Sequence, residues 1–429
     1  MTSPILTNRS EKVKWAWSFF DFSNSGFFAV VSTFVFAAYF TNSIAPTMEI
    51  GTSLWGIVIG VSGILIAILS PISGAASKHR GGSKPWLIGF TLIGIVSTAS
   101  LWFAKPDQTY LTFAMITVII ATVAFETGCV FYNSMLPYIA EKNEIGKLSG
   151  RAWCLGYIGG VLCLILCLVA FIQAEPPPFN LAIEEQEHIR ATMVLTSLWV
   201  AVFACPLFLL VPNNAVKKLT IADTIKQSII DVRSVFQSSK PNQNILKFLV
   251  ARMIYIDGVN TMFAFGGIYA SGTFNMNMKE IMFLGIGLNL SAGIGALIFG
   301  WLDDKKGSKL TLNISLLSLM LATVAVLISQ SVTQFWISAI IMSLFFGPIQ
   351  SSSRTFMARL APANLRNSLF GLYTMSGKVT TFAGPFLVAI FVTLANSQRL
   401  GLAVVLVFLV LGFIILQTVT DTVYEDPKN

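Results

Sequence analysis

The sequence predicts an all-α polytopic membrane protein of twelve transmembrane helices in two pseudo-symmetric six-helix bundles. Three observations carry this. Apolar residues fill 55% of the 429 positions and charged residues only 11%, against ~25% charged in soluble domains. The apolar residues fall into runs of about 20 or more, long enough to cross a hydrocarbon core. Short polar motifs in the first six runs recur in the same order in the last six.

The expected spans are 15–40, 54–77, 86–104, 109–136, 150–173, 191–211, 247–271, 279–302, 310–329, 333–356, 367–394 and 400–420. They imply an N-terminal bundle over 1–211, a linker over 212–246 and a C-terminal bundle over 247–429. Charge tests the topology. Of 28 Lys and Arg, only Lys105, Arg190, Lys279 and Arg399 fall on one side, Arg252 and Lys378 lie inside spans, and the other 22 share the opposite side. Basic residues collect in cytoplasmic loops, so both termini are expected in the cytoplasm. The +8 net charge therefore reads as topology rather than as a nucleic-acid footprint. The short loops suggest a bacterial inner membrane, and a monomer is expected.

All five cysteines lie in spans without a CxxC pair, and His79 and His188 sit in different loops, so no disulfide or metal site is expected. The polar N-terminus and long first run argue for a retained helix rather than a cleaved signal. On the sparsely basic side, Pro176-Pro177-Pro178 blocks helix continuation, and Asn180 is placed to cap the approach to the sixth span. In the linker, Ile221, Ile225, Ile229, Val232 and Phe236 recur at helical steps, with Lys218, Lys226, Asp231 and Arg233 on other faces. That pattern predicts an amphipathic helix on the inner leaflet, joining the bundles.

Three repeats relate the halves. Asp21-x-x-Asn24-Ser25 in span one matches Asp257-x-x-Asn260-Thr261 in span seven, each placing acid, amide and hydroxyl on one helix face. Gly74 to Gly81, with Lys78-His79-Arg80, matches Gly300 to Gly307, with Asp304-Lys305-Lys306. Gly150-x5-Gly156-Tyr157 matches Gly371-x5-Gly377-Lys378.

The stretch Gly300…Asp304-Lys305-x-Gly307-x-Lys309 resembles the glycine–acid–basic signature of major facilitator transporters. The first copy departs from it, with Lys78 where the acid is expected. A closer resemblance is to the vacuole-effluxer-like branch. Its similar stretches are Trp17-x3-Asp21-x2-Asn24-Ser25, Tyr132-Asn133-x2-Leu136-Pro137, Gly146-x-Leu148-Ser149-Gly150, Asp257-Gly258-x-Asn260-Thr261, Ser353-Arg354…Leu360-Ala361-Pro362 and Phe370-Gly371-x-Tyr373. The resemblance implies the major facilitator fold, alternating access and a central cavity. It implies that Asp304 pairs with a basic residue and a helix end to latch the cytoplasmic side. It also suggests efflux of amino acids or similar metabolites.

Five charged residues lie inside spans: Asp21, Glu126, Arg252, Asp257 and Lys378. A charge there costs at least ~2.5–3.5 kcal/mol, so each points to a partner or an aqueous path. The expected substrate and proton-coupling set is Asp21, Asn24, Ser25, Glu126, Tyr132, Asn133, Asp257, Asn260, Thr261 and Lys378. The expected cytoplasmic gate is Gly74, Lys78, Arg151, Gly300, Asp304, Lys305, Gly307 and Arg354. A purely structural alternative pairs Asp21 with Lys14 or Arg151 and Asp257 with Arg252, and makes Arg354 an interfacial anchor. The glycines of spans five, eight and eleven predict close helix packing. No P-loop, serine–histidine set or paired zinc ligands is present, so no enzyme activity and no cofactor are expected. The reading is a secondary transporter for a small polar solute, coupled to protons. Cation-coupled sugar or nutrient uptake and a non-transporting scaffold or receptor remain alternatives.

Overall fold

A computed structural model describes residues 10–213, 219–236 and 240–421. Arg9, Lys217, Lys218 and Lys428 of the charge count lie outside these, as do the side chains at 240, 241 and 278. The described chain is almost wholly helical. Among the described residues, eleven helices are long and apolar enough to span a bilayer: Glu11–Ile44, Met48–His79, Ser83–Phe103, Gln108–Ile139, Ile145–Ile172, Glu187–Leu210, Asn242–Phe274, Lys279–Lys306, Ser308–Ile328, Val332–Leu360 and Gln398–Gln417.

The eleventh expected span corrects the expectation of continuous helices. It is two pieces, Arg366–Ser376 and Ala383–Ala395, with turns between. Gly377 ends the first piece, and Pro385 is accommodated near the start of the second, where its missing N–H has no intrahelical partner to lose. With that pair included, the chain makes twelve crossings.

Other irregularities have local causes. Span one widens into π turns at Phe28–Phe34 and Phe40–Ile44, and Thr33 Oγ1 donates to the Phe28 carbonyl at 2.9 Å. Span ten breaks between Ser343 and Phe346. Pro348 has no N–H for the Leu344 carbonyl, and Gly295 of span eight fits against that carbonyl, where a Cβ would collide. Asn180 does not cap span six: it ends a separate turn, Pro178–Asn180, and the span begins at Glu187.

The apolar surface is turned outward. In span two, Ile57, Ile64 and Ile68 are exposed along one side, while Val58, Ser62, Ile66 and Ser70 are buried. Buried hydroxyls bond back to their own helix, as Ser62 does to the Val58 carbonyl at 2.7 Å. The linker helix, Ile221–Val235, is capped by Thr220. Its small polar residues Thr224 and Ser228 are buried, whereas Ile221, Ile225, Ile229 and Phe236 face away from the protein.

The halves meet along two tight seams. In the first, spans five and eight cross where Gly150 lies against the Ala296 carbonyl and Gly300 against the Gly146 carbonyl. In the second, Gly371 lies against Ser70 and Pro71 of span two, and Gly74 against the Asn367 carbonyl. A Cβ at these glycines would force the helices apart. Among the described residues, every hydrogen bond or ion pair joining the halves lies between the basic face, where most Lys and Arg sit, and mid-span. The basic face is therefore closed.

Candidate functional site

At the basic face, span five begins at Ile145, and its first N–H groups have no partner within the helix. The Gly146 and Lys147 amides instead donate to the two carboxylate oxygens of Asp304, at 2.7 and 2.8 Å. An acid of the second half thus caps a helix of the first. Arg359 holds that acid from its own half, 3.2 Å from Asp304 and 2.6 Å from the buried Asp303.

The first-half copy is built differently. Lys78 pairs with Asp231 of the linker helix at 2.8 Å, and His79 Nε2 lies 2.9 Å from the same oxygen. The tie to the other half is made by Asn367, whose amide nitrogen donates to Ser77 at 2.7 Å and Ser83 at 3.2 Å.

Besides Lys78, three expected gate residues do not bridge the halves. Arg151 donates to Ser18, pairs with Glu11 at 3.5 Å and lies 4.3 Å from the Trp15 ring, all within the first half. Lys305 stands 3.9 Å over Trp301 of its own helix. Gly307, with φ of +90°, turns the chain between spans eight and nine.

One layer deeper, Arg354 is 2% exposed and is no interfacial anchor. It donates to Asp21 at 2.9 Å, Asn133 Oδ1 at 3.3 Å, Ser149 Oγ at 2.9 Å and the Ser149 carbonyl at 2.8 Å. The rings of Trp17, Tyr132 and Trp153 surround it at 5.0, 5.6 and 5.7 Å. Trp17 stacks on Tyr132 at 4.4 Å, so the wall is rigid on one side. This overturns both proposed partners of Asp21. Lys14 is held by Glu11 at 2.8 Å and Glu144 at 2.7 Å, while Arg151 is held by Glu11.

At mid-span, Glu126 and Lys378 form an ion pair at 2.5 Å across the halves. Glu126 lies about 20 Å from either end of its helix at ~1.5 Å per residue. Lys378 projects from the broken part of span eleven. The side chains remain 14% and 32% exposed, so the pair is only partly buried.

Asp257 does not pair with Arg252. Five positions apart, the two lie about 140° apart round their helix. Arg252 turns to the Tyr373 carbonyl at 2.7 Å and Ser376 Oγ at 2.8 Å. Asp257 is buried, and among the described residues its carboxylate accepts only the Gly384 amide, at 3.1 Å. The flanking motif residues point to packing. Asn24 donates to Cys129 Sγ at 3.3 Å, Ser25 lies against Gly156, and Thr261 bonds to the Asp257 carbonyl at 2.7 Å. Asn260 is half-buried.

Sequence reasoning passed over Ser149, Trp153, Asp303, Arg359, Asn367 and Asp231. The adjacent acids Asp303-Asp304 and the basic pair Arg354…Arg359 were the available signals. A depression on the basic face beside Lys84 and Asn213 is lined in part by the first-half seam itself, with Ser77, Lys78, Ser83 and Asn367 in its wall. Its lysines are already engaged, Lys78 by Asp231 and Lys84 by the Val211 carbonyl at 2.6 Å.

Comparison with known proteins fixes the class. The family described as "Vacuole effluxer Atg22 like" matches residues 47–147 and 141–422. An uncharacterized MFS-type transporter of Bacillus subtilis, YxiO, is 26% identical over 98% of both chains. Autophagy-related protein 22 of Cryptococcus neoformans is 24% identical over 62% of this chain, and the match spans about half, 48%, of that longer protein. Among solved structures, the human organic anion transporter MFSD10 superposes with a TM-score of 0.73 at 13% identity, covering 96% of this chain and 100% of that one. At that identity the likeness shows the fold alone. With two six-helix bundles and a family match over most of its length, this multi-pass membrane protein is a transporter and not an enzyme; it belongs to the Atg22-like vacuole effluxer family of the major facilitator superfamily.

Proposed function

We propose that the protein exports zwitterionic amino acids or similar small metabolites by alternating access, coupled to protons, with the Glu126–Lys378 pair as the substrate anchor. That pair carries the reading, because it joins the halves at mid-span with opposite charges and is partly exposed. A zwitterion brings one ammonium and one carboxylate. It exchanges a single pair for two, the ammonium on Glu126 and the carboxylate on Lys378, with no charge left uncompensated. An uncharged sugar supplies neither partner, so opening the pair for it leaves both charges exposed. The family description as effluxers supports the direction.

By the distribution of Lys and Arg, the basic face is cytoplasmic in a bacterial inner membrane, and the state described is closed to the cytoplasm. Asp304 on the span-five helix end and Arg354 on Asp21 act as two successive cytoplasmic locks. Both must part for the inward-facing state. The transporting unit is a monomer.

The test is counterflow of labelled amino acids in proteoliposomes, with and without a pH gradient. Wild type should exchange at least one amino acid. Both Glu126→Gln and Lys378→Met should lose exchange while retaining wild-type thermal stability within a few degrees. Exchange of labelled sugars but no amino acid would overturn the zwitterion reading. Absence of any solute movement would overturn transport of these classes altogether.

A further inference from the structure

Asp257 is the one acid of the twin motifs that lacks a cation. It is 1% exposed, Oδ2 accepts the Gly384 amide, and Oδ1 has no partner among the described residues. The charged and titratable groups on every element packed against span seven are engaged or distant. Arg252 and Tyr255 of its own helix bond to Tyr373, Ser376 and Ser353. On span eleven, Lys378 is taken by Glu126, and Arg366 lies over the Tyr138 ring. On span ten, Arg354 holds Asp21 and Arg359 holds Asp303 and Asp304. Arg399, at the far end of span twelve, bonds the Leu327 and Ser329 carbonyls. On span eight, Lys279 and Glu280 stand at one end and Asp303, Asp304, Lys305 and Lys306 at the other. None of them is within ion-pair distance of Asp257 among the described residues.

The place of its single donor matters as much. Gly384 opens the second piece of span eleven, and Thr261 Oγ1 occupies the space a Cβ would need. Six residues earlier, the same interrupted segment carries Lys378, which holds Glu126. One short unwound stretch therefore has Asp257 at one end and the mid-span ion pair at the other.

We propose that Asp257 is the coupling-proton site: its carboxyl carries the transported proton in the state closed at the basic face and releases it when the halves exchange access. An ionised carboxylate in a buried membrane site with one N–H donor and no cation is strongly disfavoured, and protonation removes the charge outright. The proton adds to the carboxylate from water on the open side and leaves as the same proton to water on the other; nothing else is consumed. Once ionised, Asp257 binds the Gly384 amide more strongly, since charge-assisted hydrogen bonds are shorter and about twice as strong. That pull acts on the segment bearing Lys378, which links proton release to the substrate anchor.

This inference rests on the proton-coupled reading above, and two measurements keep them separable. The first is infrared difference spectroscopy of the purified full chain across a pH step. Wild type should show the carbonyl stretch of a protonated carboxylic acid. Asp257→Asn should lose it, whereas Asp21→Asn should retain it. The second is the ratio of pH-driven accumulation to counterflow in proteoliposomes, which should collapse for Asp257→Asn. Persistence of the band in Asp257→Asn, or accumulation equal to wild type, overturns the proposal. If Asp257→Asn loses all transport, the infrared result decides. If wild type moves no amino acid, the substrate reading fails while the infrared arm still tests Asp257.

Discussion

Asp21 and Asp257 occupy the same place in two copies of one motif, and their surroundings are opposite. Asp21 is clasped by a buried arginine from the other half, itself held by Ser149 and ringed by three aromatics. Among the described residues, Asp257 has one backbone amide and no cation. The latch motifs are mismatched in the reverse sense. The second-half acid, Asp304, reaches across to cap a first-half helix. The first-half copy has Lys78 at that place and takes its acid from the linker. Duplication supplied two identical frames, and each frame kept a different charge. At the basic face the latch hydrogen bonds are therefore uneven: to a carboxylate in one seam, and between neutral amide and hydroxyl groups in the other.

The largest expected effect tests the first contrast. Arg354→Leu leaves the Asp21 carboxylate, 16% exposed, without its cation, a loss that approaches the ~3–5 kcal/mol of a broken buried pair and is reduced by that exposure. It should lower the thermal unfolding midpoint of the detergent-solubilised protein far more than Asp257→Asn does. The double variant Asp21→Asn/Arg354→Leu should recover part of the loss, because the stranded charge is gone. If Arg354→Leu and Asp257→Asn prove equally mild, the two acids are not electrostatically distinct and the contrast fails.

A middle-sized effect tests the charged seam. Asp304→Asn keeps the shape but removes the charge from two amide bonds across the halves, where hydrogen bonds to charged groups contribute ~1.5–3 kcal/mol. Amide exchange over residues 145–150 should speed by about tenfold or more, since ~1.4 kcal/mol is a factor of ten. The corresponding change at the other seam, Asn367→Ala, breaks neutral bonds worth only ~0.5–1.5 kcal/mol each. Equal acceleration at both seams would remove the distinction between them.

Much of this architecture was legible in the sequence because it is written in local periodicity. Apolar run length gives the spans, Lys and Arg give the faces, and Asp-x-x-Asn-Ser/Thr gives the repeat. Pairings between distant residues are not periodic. Arg354 meets Asp21 across 333 positions, and nothing near either residue specifies the other. Span eleven was misread because Val379 to Phe382 is apolar enough to continue the run, although Gly377 and the Gly384-Pro385 pair mark the break. Arg252 was matched to Asp257 by nearness in sequence, while helix geometry points them to different sides. Asp231 looked like one polar position of an amphipathic helix because its partner, Lys78, lies in another element.

That last pair gives the smallest and most conditional prediction. Lys78 is 36% exposed at its side chain, so its bond to Asp231 is screened and contributes ~0–1 kcal/mol. Asp231→Asn should loosen the linker helix without unfolding either bundle. Amide exchange over 221–235 should rise a few-fold at low salt, and wild type should approach the variant's rate as salt is raised. The charge swap Lys78→Asp/Asp231→Lys should restore protection, because it returns an acid to the first-half latch and leaves the pair's attraction intact. It also sets a carboxylate beside Ser77 and Asn367, where the second half has Asp304 against a helix end. If the swap protects segment 366–370 as well as the linker, the Lys78 departure is a rerouting of the latch through the linker. If Asp231→Asn leaves exchange unchanged at low salt, the linker is only a tether, and the first-half latch holds through Asn367 without it.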